Sequence, residues 1–587
     1  MNANTTQKPT AHRGAENPLP GRYLLWPLYG AGMENLGVDD RPIEVDMPVC
    51  GPDQLLVRHD AVGLCFSDTK IITAGENHPR IQGRNMRIDP VVMGHEVAMT
   101  VMQVGENLGD RYKPGERFII QADIYYKGVG MAYGYMLQGG LSQYNLIGPE
   151  VLEGDEGSYL LSVKDTMGHA QAALTEPWAC VVASYEVVYR SAWKPGGAVL
   201  VVAGPGATGE YDLGAPYTSG RGPAQVVTLG VGGTLPARLR ECAAADGFAL
   251  TELGAYDEGT LAQAVEAVGG GSFDDVVMLG ADPALYEALE PLAARGAVLN
   301  MVGADALKGT VQVDVGRLHY DGLSLIGTVD RTIATAYRPV RTELEPGGKA
   351  AFLGAAGPMG QMHVQRALQA AQGPSLLVAT SRTDVRLKVL GEKFARLIED
   401  KRETTRFEMQ VPARGQSFSE FYAGLMELTG GTGYDDIVVL APSAEVLAEA
   451  ANMLAPGGVM NIFAGLPRGT KAPIDLKGIV VHGVRFTGTS GSSIRDLRSV
   501  LDEAEAGRLD PNLSVVAVSG LNDAKKGLEG VMHQAFPGKV VVYPQIVDFP
   551  LTALPDLADV LPSVYAKLGP NHSWTVEAEA AFLEELL

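Results

Sequence analysis

An internal repeat limits the folds open to this 587-residue chain. Three segments recur in the same order at one separation of 161 residues: FDDVVML at 273–279 as YDDIVVL at 434–440, GAVLN at 296–300 as GGVMN at 457–461, and Gly-Thr at 327–328 as Gly-Thr at 488–489. Self-similarity that keeps its order over such a distance indicates one structural unit present twice. Apolar strand-like runs alternate with helical patterns in both copies, so we predict two tandem αβ units with parallel sheets.

Each copy opens with a buried-strand pattern and a glycine-rich turn. AVLVVA at 198–203 is followed by GPGATG at 204–209, and KAAFL at 349–353 is followed by GAAGPMG at 354–360. A strand, a glycine-rich turn and a helix together form the phosphate-binding start of a Rossmann unit. Both copies are therefore interpreted as Rossmann-like domains.

The two glycine turns differ in the residues that come after them. Pro216 and the Gly/Ser/Pro-rich run up to Pro223 break a helix after the first turn, and Glu210 and Asp212 place negative charge beside it. After the second turn, residues 361–370 contain good helix formers and no breaker. We therefore predict that the first unit is degenerate and that the second unit binds the dinucleotide. The predicted cofactor-binding residues of its turn are Gly354, Gly357, Pro358, Met359 and Gly360.

The choice of nucleotide depends on the end of the next strand. The run LLVAT at 376–380 ends in Ser381 and Arg382, where an NAD-binding unit would carry an acidic residue for the ribose 2′-hydroxyl. A hydroxyl and a guanidinium suit a 2′-phosphate, since Arg binds phosphate in a bidentate way. We predict NADP as the cofactor, with NAD possible and with Arg382 as a solvated surface charge as the alternative.

Residues typical of metal sites lie upstream of the repeat. His95 and Glu96 follow an apolar run at 90–93, Cys65 follows a strand-like run at 55–62, and Glu176 precedes Pro177. A catalytic zinc site takes three protein ligands and leaves the fourth position open. One thiol, one imidazole and one or two carboxylates in this order make a plausible set.

These motifs carry a resemblance to a known family. Cys-x-Ser-Asp at 65–68, Gly-His-Glu at 94–96, Glu-Pro at 176–177, GGLSQY at 139–144 and PGKVV at 537–541 resemble the medium-chain zinc alcohol and polyol dehydrogenases, the sorbitol and threonine dehydrogenase branch in particular. The forms CFSDTK and GAAGPMG are most similar to the sorbose-phosphate-reductase-like members. The resemblance runs from about residue 24 to about residue 547, although the family normally has one Rossmann domain.

The resemblance implies roles for individual residues. Cys65 and His95 would bind zinc with Glu176 or Glu96 as the third ligand, and Glu96 would otherwise stand just behind the metal. Asp68 would accept a hydrogen bond from His95, and Ser67 would bond to the substrate alcohol and pass its proton outward.

Two features depart from the family pattern. Lys70 stands where some members have a relay histidine, which puts the outer proton path in doubt. No cysteine lies between Cys65 and Cys180, so the family's structural zinc is expected to be absent. The Tyr- and Gly-rich segment 123–136 either lines the substrate mouth or packs as a surface loop.

The predicted fold class is α/β, with a mostly-β GroES-like catalytic domain and two tandem Rossmann-like doubly wound parallel-sheet domains. The predicted divisions are a disordered lead (1–20), the first part of the catalytic domain (21–180), the degenerate Rossmann-like domain (181–330), the cofactor-binding one (331–490), and a return to the catalytic domain with a helical tail (491–587). The acidic residues of the tail are expected to form a solvated face: Glu577, Glu579, Glu584 and Glu585.

Composition narrows the class of function. The net charge is −22 without a basic stretch, so nucleic acid and membranes are not expected partners. Four cysteines without short spacings and the lack of a signal-like or membrane-spanning run favour a cytoplasmic protein with reduced thiols.

The leading hypothesis is a zinc-dependent NAD(P) oxidoreductase that acts on a polyol, sugar or sugar phosphate, in the form of a homo-oligomer. Two alternatives stay open at this point. One is a zinc-free medium-chain quinone or enoyl reductase. The other is a non-enzymatic nucleotide-sensing or scaffold protein on a dehydrogenase shell.

Overall fold

The computed structural model describes residues 19–587 except 82, 187–188, 304–306 and 308. The predicted disordered lead at 1–20 therefore lies almost wholly outside the described residues. Within the described part, no helix combines the length and the apolar character needed to cross a membrane.

The N-terminal part is built mainly from short strands and tight turns. Its strands are β1 (Arg22–Leu25), β2 (Pro27–Leu28), β3 (Ile43–Asp46), β4 (Leu55–Gly63), β5 (Val91–Val92), β6 (Glu96–Val104), β7 (Arg117–Ile120), β8 (Tyr125–Tyr126), β9 (Val129–Gly130), β10 (Tyr144–Ile147) and β11 (Leu160–Ser162). Its helices are α1 (Phe66–Ala74), α2 (Pro149–Leu152), α3 (His169–Ala173) and α4 (Thr175–Ala183).

The first repeat forms a six-stranded parallel sheet in the order β14-β13-β12-β15-β16-β18. Its elements are β12 (Ala198–Ala203), β13 (Gln225–Leu229), α5 (Leu235–Asp246), β14 (Ala249–Leu253), α6 (Glu258–Ala267), β15 (Phe273–Leu279), α7 (Pro283–Leu289), β16 (Ala293–Val302), β17 (Val311–Asp314), α8 (Val315–Tyr320) and β18 (Ser324–Thr328). Residues 204–224, all of which are described, contain no helix between β12 and β13.

The second repeat forms an equivalent sheet in the order β21-β20-β19-β22-β23-β25. Its elements are β19 (Lys349–Leu353), α9 (Pro358–Gln369), β20 (Leu376–Thr380), α10 (Asp384–Lys393), α11 (Ala395–Lys401), β21 (Arg406–Gln410), α12 (Phe418–Glu427), β22 (Tyr434–Val439), α13 (Ala444–Asn452), β23 (Leu454–Ile462), β24 (Lys471–Ile474), α14 (Lys477–His482) and β25 (Arg485–Thr487). Counted within each repeat, both sheets have the 3-2-1-4-5-6 strand order of the Rossmann fold.

The chain then returns to the N-terminal sheet. The last elements are α15 (Ile494–Glu505), β26 (Val515–Gly520), α16 (Ala524–Met532), β27 (Lys539–Tyr543), β28 (Thr552–Ala553), α17 (Leu557–Val560), α18 (Pro562–Tyr565) and α19 (Val576–Leu586). β27 pairs with β4, and the sheet has the order β11-β7-β6-β4-β27-β26-β28 with β10 also on β4. The predicted α/β class with two Rossmann-like sheets is confirmed, whereas the exact domain bounds stay predictions.

The repeated aspartates have the same structural task in both copies. Arg190 donates to Asp275 Oδ2 at 2.7 Å, and Arg341 donates to Asp436 Oδ1 at 2.7 Å. Asp275 also accepts from the backbone N–H of Lys194 at 3.0 Å, and Asp436 from that of Glu345 at 2.8 Å. These buried carboxylates tie the segment that enters the first strand to the fourth strand, which explains why the motif recurs.

The two repeats pack against each other about a pseudo-two-fold axis. β17 and β24 pair antiparallel, with Gln312 opposite Pro473 at the centre. A Cβ added to Gly327 would lie 2.8 Å from the Val480 side chain of α14, and one added to Gly488 would lie 2.6 Å from the carbonyl oxygen of Leu318 on α8. The repeated Gly-Thr pair is thus needed for close approach, and one hydrophobic core runs through both repeats.

One prediction about the tail is wrong. Glu579 is buried, not solvated. Its carboxylate accepts hydrogen bonds from the backbone N–H of Ala170 at 2.7 Å and from the Tyr543 hydroxyl at 2.8 Å. Residue Glu579 therefore anchors α19 to the start of α3, whereas Glu577 and Glu584 are exposed as expected.

Candidate metal and cofactor site

The turn that connects β4 to α1 brings Cys65 to the entry of β6. Cys65 is the N-cap residue of α1, and its backbone N–H donates to Asp68 Oδ2 at 2.9 Å. The other oxygen of Asp68 lies 3.2 Å from His95 Nδ1, and both side chains are buried. This leaves Nε2 as the ring nitrogen of His95 that is available to a metal.

Cys65, His95 and Glu96 offer one ligand atom each within 4.8 Å of one another. In the part of the chain that the structure describes, this is the only group of three or more His, Cys, Asp or Glu side chains so arranged. A thiolate, an imidazole and a carboxylate form a donor set that zinc accepts. Glu96 Oε2 is buried without a hydrogen-bond partner among the described residues, as expected of an atom kept for an ion. The residues therefore fit zinc.

A buried cation balances the carboxylate of this cluster. The Lys539 ammonium on β27 donates to Glu96 Oε1, and both side chains are shielded from solvent. Although burial lowers the pKa of Lys539, the charges of Glu96 and Cys65 raise it above its usual value, so the lysine stays protonated. Sequence reasoning noticed the GKVV strand but did not assign Lys539 to the site.

Glu176 lies in the first turn of α4 and is close to the cluster, although it is outside the group within 4.8 Å. Burial and the charge of Glu96 raise its pKa to about 7, against the lowering effect of His95 and Lys539. Cys180 Sγ lies 3.9 Å from Glu176 Oε1, one helical turn later. Sequence reasoning missed Cys180, although its i+4 spacing from Glu176 was a usable signal.

The protonation of His95 reflects its neighbours. Burial lowers its pKa, but the Asp68 carboxylate, Tyr135 and Cys65 raise it well above the usual value. The Tyr135 ring lies 5.8 Å from that of His95, so part of segment 123–136 borders the cluster. The hairpin of β8 and β9 in the same segment is largely exposed, and Ser67 lies half-buried on α1.

The glycine turn of the second repeat has the geometry of a pyrophosphate site. Gly354 has a φ of +88°, which allows the tight turn, and a Cβ at Gly360 would lie 2.5 Å from the Ala355 carbonyl oxygen, which reflects close helix packing. A Cβ at Gly357 would meet nothing within 4 Å, so the backbone there faces open space. Pro358 and Met359 begin α9, whose N-terminus points toward that space.

The equivalent turn of the first repeat is filled by protein. A Cβ at Gly206, which corresponds to Gly357, would lie 2.9 Å from the Gly280 carbonyl oxygen. The Arg331 guanidinium lies against Gly209, and Glu210 accepts from the backbone N–H of Thr234 at 2.9 Å. With no helix after this turn, no helix N-terminus faces a phosphate.

Ser381 and Arg382 follow β20 at the carboxyl edge of the second sheet. Ser381 Oγ accepts a long hydrogen bond from the Thr383 backbone N–H at 3.4 Å, and Arg382 is exposed. Among the described residues, Arg382 has no ion pair or hydrogen bond. Its guanidinium is therefore available to a ligand.

Comparison with known proteins assigns a family to the domain that holds the cluster. The alcohol dehydrogenase GroES-like domain family matches residues 51–152, which contain Cys65, Asp68, His95 and Glu96. This match, with the relatives below, shows that residues 51–152 form a GroES-like domain similar to that of alcohol and polyol dehydrogenases. The resemblance stated from the motifs is confirmed.

Particular relatives act on phosphorylated substrates by name. The chain is 24% identical over 551 residues to mannitol-1-phosphate 5-dehydrogenase of Aliivibrio fischeri, a match that covers 92% of this chain and 93% of the relative. It is 30% identical over 249 residues to L-sorbose 1-phosphate reductase of Klebsiella pneumoniae. That match covers 41% of this chain and 56% of the relative. The relatives support an oxidoreductase that acts on alcohols.

A solved structure agrees in fold. 2R,3R-butanediol dehydrogenase from Bacillus subtilis aligns with a TM-score of 0.50 at 16% identity, over 89% of this chain and 99% of that one.

Proposed function

We propose that this protein is a zinc-dependent oxidoreductase that transfers a hydride between NADP and a secondary alcohol or ketone of a polyol, sugar or sugar phosphate. The observation that carries the proposal is the convergence of Cys65, His95 and Glu96 within 4.8 Å in a GroES-like domain. The names of the relatives support the substrate class.

Each residue of the site has a separate role in the proposed reaction. Cys65, His95 and one of Glu96 or Glu176 would hold zinc, which supplies Lewis acidity at the substrate oxygen when bound. Asp68 fixes the orientation of His95 through Nδ1. Ser67, on the same turn, is proposed to bond to the substrate hydroxyl and to pass its proton outward to solvent. Lys539 pairs with Glu96 and balances its charge.

The second repeat is proposed to hold the cofactor. The open backbone at Gly357 and the intact helix α9 support this assignment, and the filled turn at Gly206 argues against the first repeat. The guanidinium of Arg382, which has no partner among the described residues, and the absence of an acidic residue directly after β20 support a preference for NADP, with NAD as the weaker cofactor.

Metal analysis tests the proposal. Protein purified without chelator is expected to contain about one zinc per chain, and Cys65→Ser is expected to lose zinc and activity together. Serine is a good N-cap residue, so α1 should remain folded. Cys242→Ser, in α5 of the first repeat, is the matched control. Activity in wild-type protein that contains no zinc would favour a zinc-free quinone or enoyl reductase instead.

A further inference from the structure

Lys70 lies where the catalytic domain and both repeats meet. It is half-buried on α1, and its ammonium lies 3.2 Å from the hydroxyl of Tyr320, the last residue of α8 in the first repeat. Gly465, after β23 of the second repeat, lies against both. A Cβ added to Gly465 would be 2.6 Å from the Tyr320 hydroxyl and 3.2 Å from Lys70 Nζ.

This junction is positively charged, although the whole chain carries a net charge of −22. Among the described residues, Lys70 has no carboxylate partner, and its hydrogen bond to Tyr320 is the single polar contact. The Arg468 guanidinium lies 5.2 Å from the centre of the Tyr320 ring. Within the described residues it pairs with Asp321 alone, at 2.9 Å, and its Nη2 also lies 3.5 Å from the Tyr320 carbonyl oxygen. A half-buried cation without a counter-ion is a candidate receptor for an anion.

His319 fixes the position of this junction relative to the cofactor sheet. Its Nδ1 lies 3.0 Å from the carbonyl oxygen of Ile462, the last residue of β23. Ligands of doubly wound sheets bind at the carboxyl ends of the strands. Arg382 and β20 lie on the adenosine side of β19, so β22 and β23 lie on the side where the reactive ring must be.

The distance from the metal cluster is suitable for a small substrate. Lys70 follows Cys65 by five residues on the same turn and helix, which is a backbone rise of about 7.5 Å along the axis. A short carbon chain spans that length. One extended molecule could therefore place an alcohol group at Cys65 and His95 and an anionic group at Lys70.

We propose that Lys70, Tyr320 and Arg468 bind the phosphate group of a phosphorylated sugar or polyol substrate. This rests on the proposed oxidoreductase function and narrows its substrate class. It also gives the first repeat a role, since Tyr320 is the residue that this repeat contributes to substrate binding. The equivalent positions of α14 in the second repeat are Val480 and Val481, so the polar pair His319 and Tyr320 is particular to the first repeat.

Steady-state kinetics on the zinc-loaded full chain tests the proposal. The probes are D-fructose 6-phosphate and D-sorbitol 6-phosphate, each beside its unphosphorylated counterpart. Lys70→Ala is expected to raise the KM for the phosphorylated compounds about 10- to 100-fold, as the loss of a charge-assisted contact does, and to leave the unphosphorylated ones nearly unchanged. Lys70→Arg should restore most of the affinity, and Tyr320→Phe should cost a smaller factor.

The controls separate phosphate binding from other roles of the lysine. Lys526→Ala, an exposed lysine on α16, should change neither substrate. An equal loss of kcat on both substrates in Lys70→Ala, with a shifted pH profile, would make Lys70 a proton relay and overturn the proposal. A wild-type enzyme that prefers unphosphorylated substrates would overturn it as well.

A binding measurement distinguishes this failure from failure of the proposed function. D-fructose 6-phosphate is titrated calorimetrically into Cys65→Ser and into the double variant with Lys70→Ala. Binding to Cys65→Ser that is lost in the double variant supports the phosphate site, even if the wild-type enzyme shows no turnover. A lack of turnover would count against the proposed oxidoreductase function and not against the phosphate site. Equal binding to both, or none to either, contradicts the phosphate site.

Discussion

At the residue scale, Lys539 is the buried cation on which the candidate metal cluster depends. Lys539→Met removes the partner of Glu96 and leaves a carboxylate shielded from solvent, which typically costs about 3–5 kcal/mol. We expect a correspondingly lower free energy of unfolding, measured with denaturant on chelator-treated protein. Lys526→Met is the exposed control. Zinc should restore part of the lost stability because it replaces the missing positive charge. An unchanged denaturant midpoint of unfolding in Lys539→Met would contradict a stabilising role for Lys539.

The proposed zinc binding is expected to depend on pH through Glu176. Its pKa of about 7 means that the carboxyl is largely protonated at pH 6 and largely ionised at pH 8. A metal competes with this proton, so zinc affinity should rise between these pH values. Glu176→Gln should bind zinc at least about tenfold more weakly at pH 8 and show a shallower pH dependence.

The measurement is zinc competition against a chelator at pH 6 and pH 8. Glu186→Gln, a carboxylate beyond the end of α4 that pairs with Arg495, is the matched control. Equal affinities and equal slopes in wild type and Glu176→Gln would assign the third ligand to Glu96 alone.

The predictability of the site depended on how local its contacts are. Cys65, Asp68, His95 and Glu96 lie in short motifs whose order along the chain was informative. The Lys539–Glu96 pair joins residues 443 positions apart and exists only because β27 pairs with β4. The anchoring of α3 by Glu579 is equally non-local, and the charge of the tail therefore suggested solvation instead.

At the element scale, the glycine turn before α9 permits a variant that affects the ligand and spares the fold. Gly357→Ala adds a methyl group into open space, so we expect normal stability and a large loss of dinucleotide affinity. Gly206→Ala, in the first repeat, should leave the affinity unchanged. Calorimetric titration with NADP and thermal unfolding of both variants measure this. Full binding by Gly357→Ala, with loss in Gly206→Ala, would place the cofactor in the first repeat.

The end of β20 should decide between the two nucleotides. Arg382→Ala is expected to raise the KM for NADP about tenfold or more, because a guanidinium–phosphate contact is lost, and to leave that for NAD nearly unchanged. Arg396→Ala, an exposed arginine on α11, controls for a general change of surface charge. A wild type that favours NAD, or an unaltered NADP constant in Arg382→Ala, would contradict the assignment.

The two repeats show why elements were easier to predict than their packing. Pro216 and its neighbours correctly excluded a helix after the first glycine turn, because proline and glycine act locally. The repeat period also correctly predicted two separate parallel sheets. It did not show that β17 and β24 would pair, since edge pairing depends on the three-dimensional placement of both copies.

At the scale of the whole molecule, the pseudo-two-fold contact supports α8, whose Tyr320 contacts Lys70 on the helix that follows Cys65. Each repeat presents a glycine to a helix of the other, and Gly488 is the one that supports α8. The self-complementary edge is already occupied within one chain, as in an isologous dimer. The predicted homo-oligomer would have to use other surfaces.

Gly488→Ala tests this connection. The added Cβ would lie 2.6 Å from the Leu318 carbonyl oxygen and 2.7 Å from the His319 Cα, so backbone must move and α8 must shift. Overpacking of this kind costs about 1–3 kcal/mol. Because α8 carries Tyr320, we expect the KM for a phosphorylated substrate to rise while the affinity for NADP is retained. Gly424→Ala, whose Cβ would meet nothing within 4 Å on α12, should alter neither quantity. Unfolding measurements and kinetics with both ligands decide the matter. Two outcomes would show that the first repeat does not shape the substrate site. One is a stable Gly488→Ala variant with unchanged kinetics, and the other is a variant whose affinity for NADP falls while its KM for the phosphorylated substrate does not change.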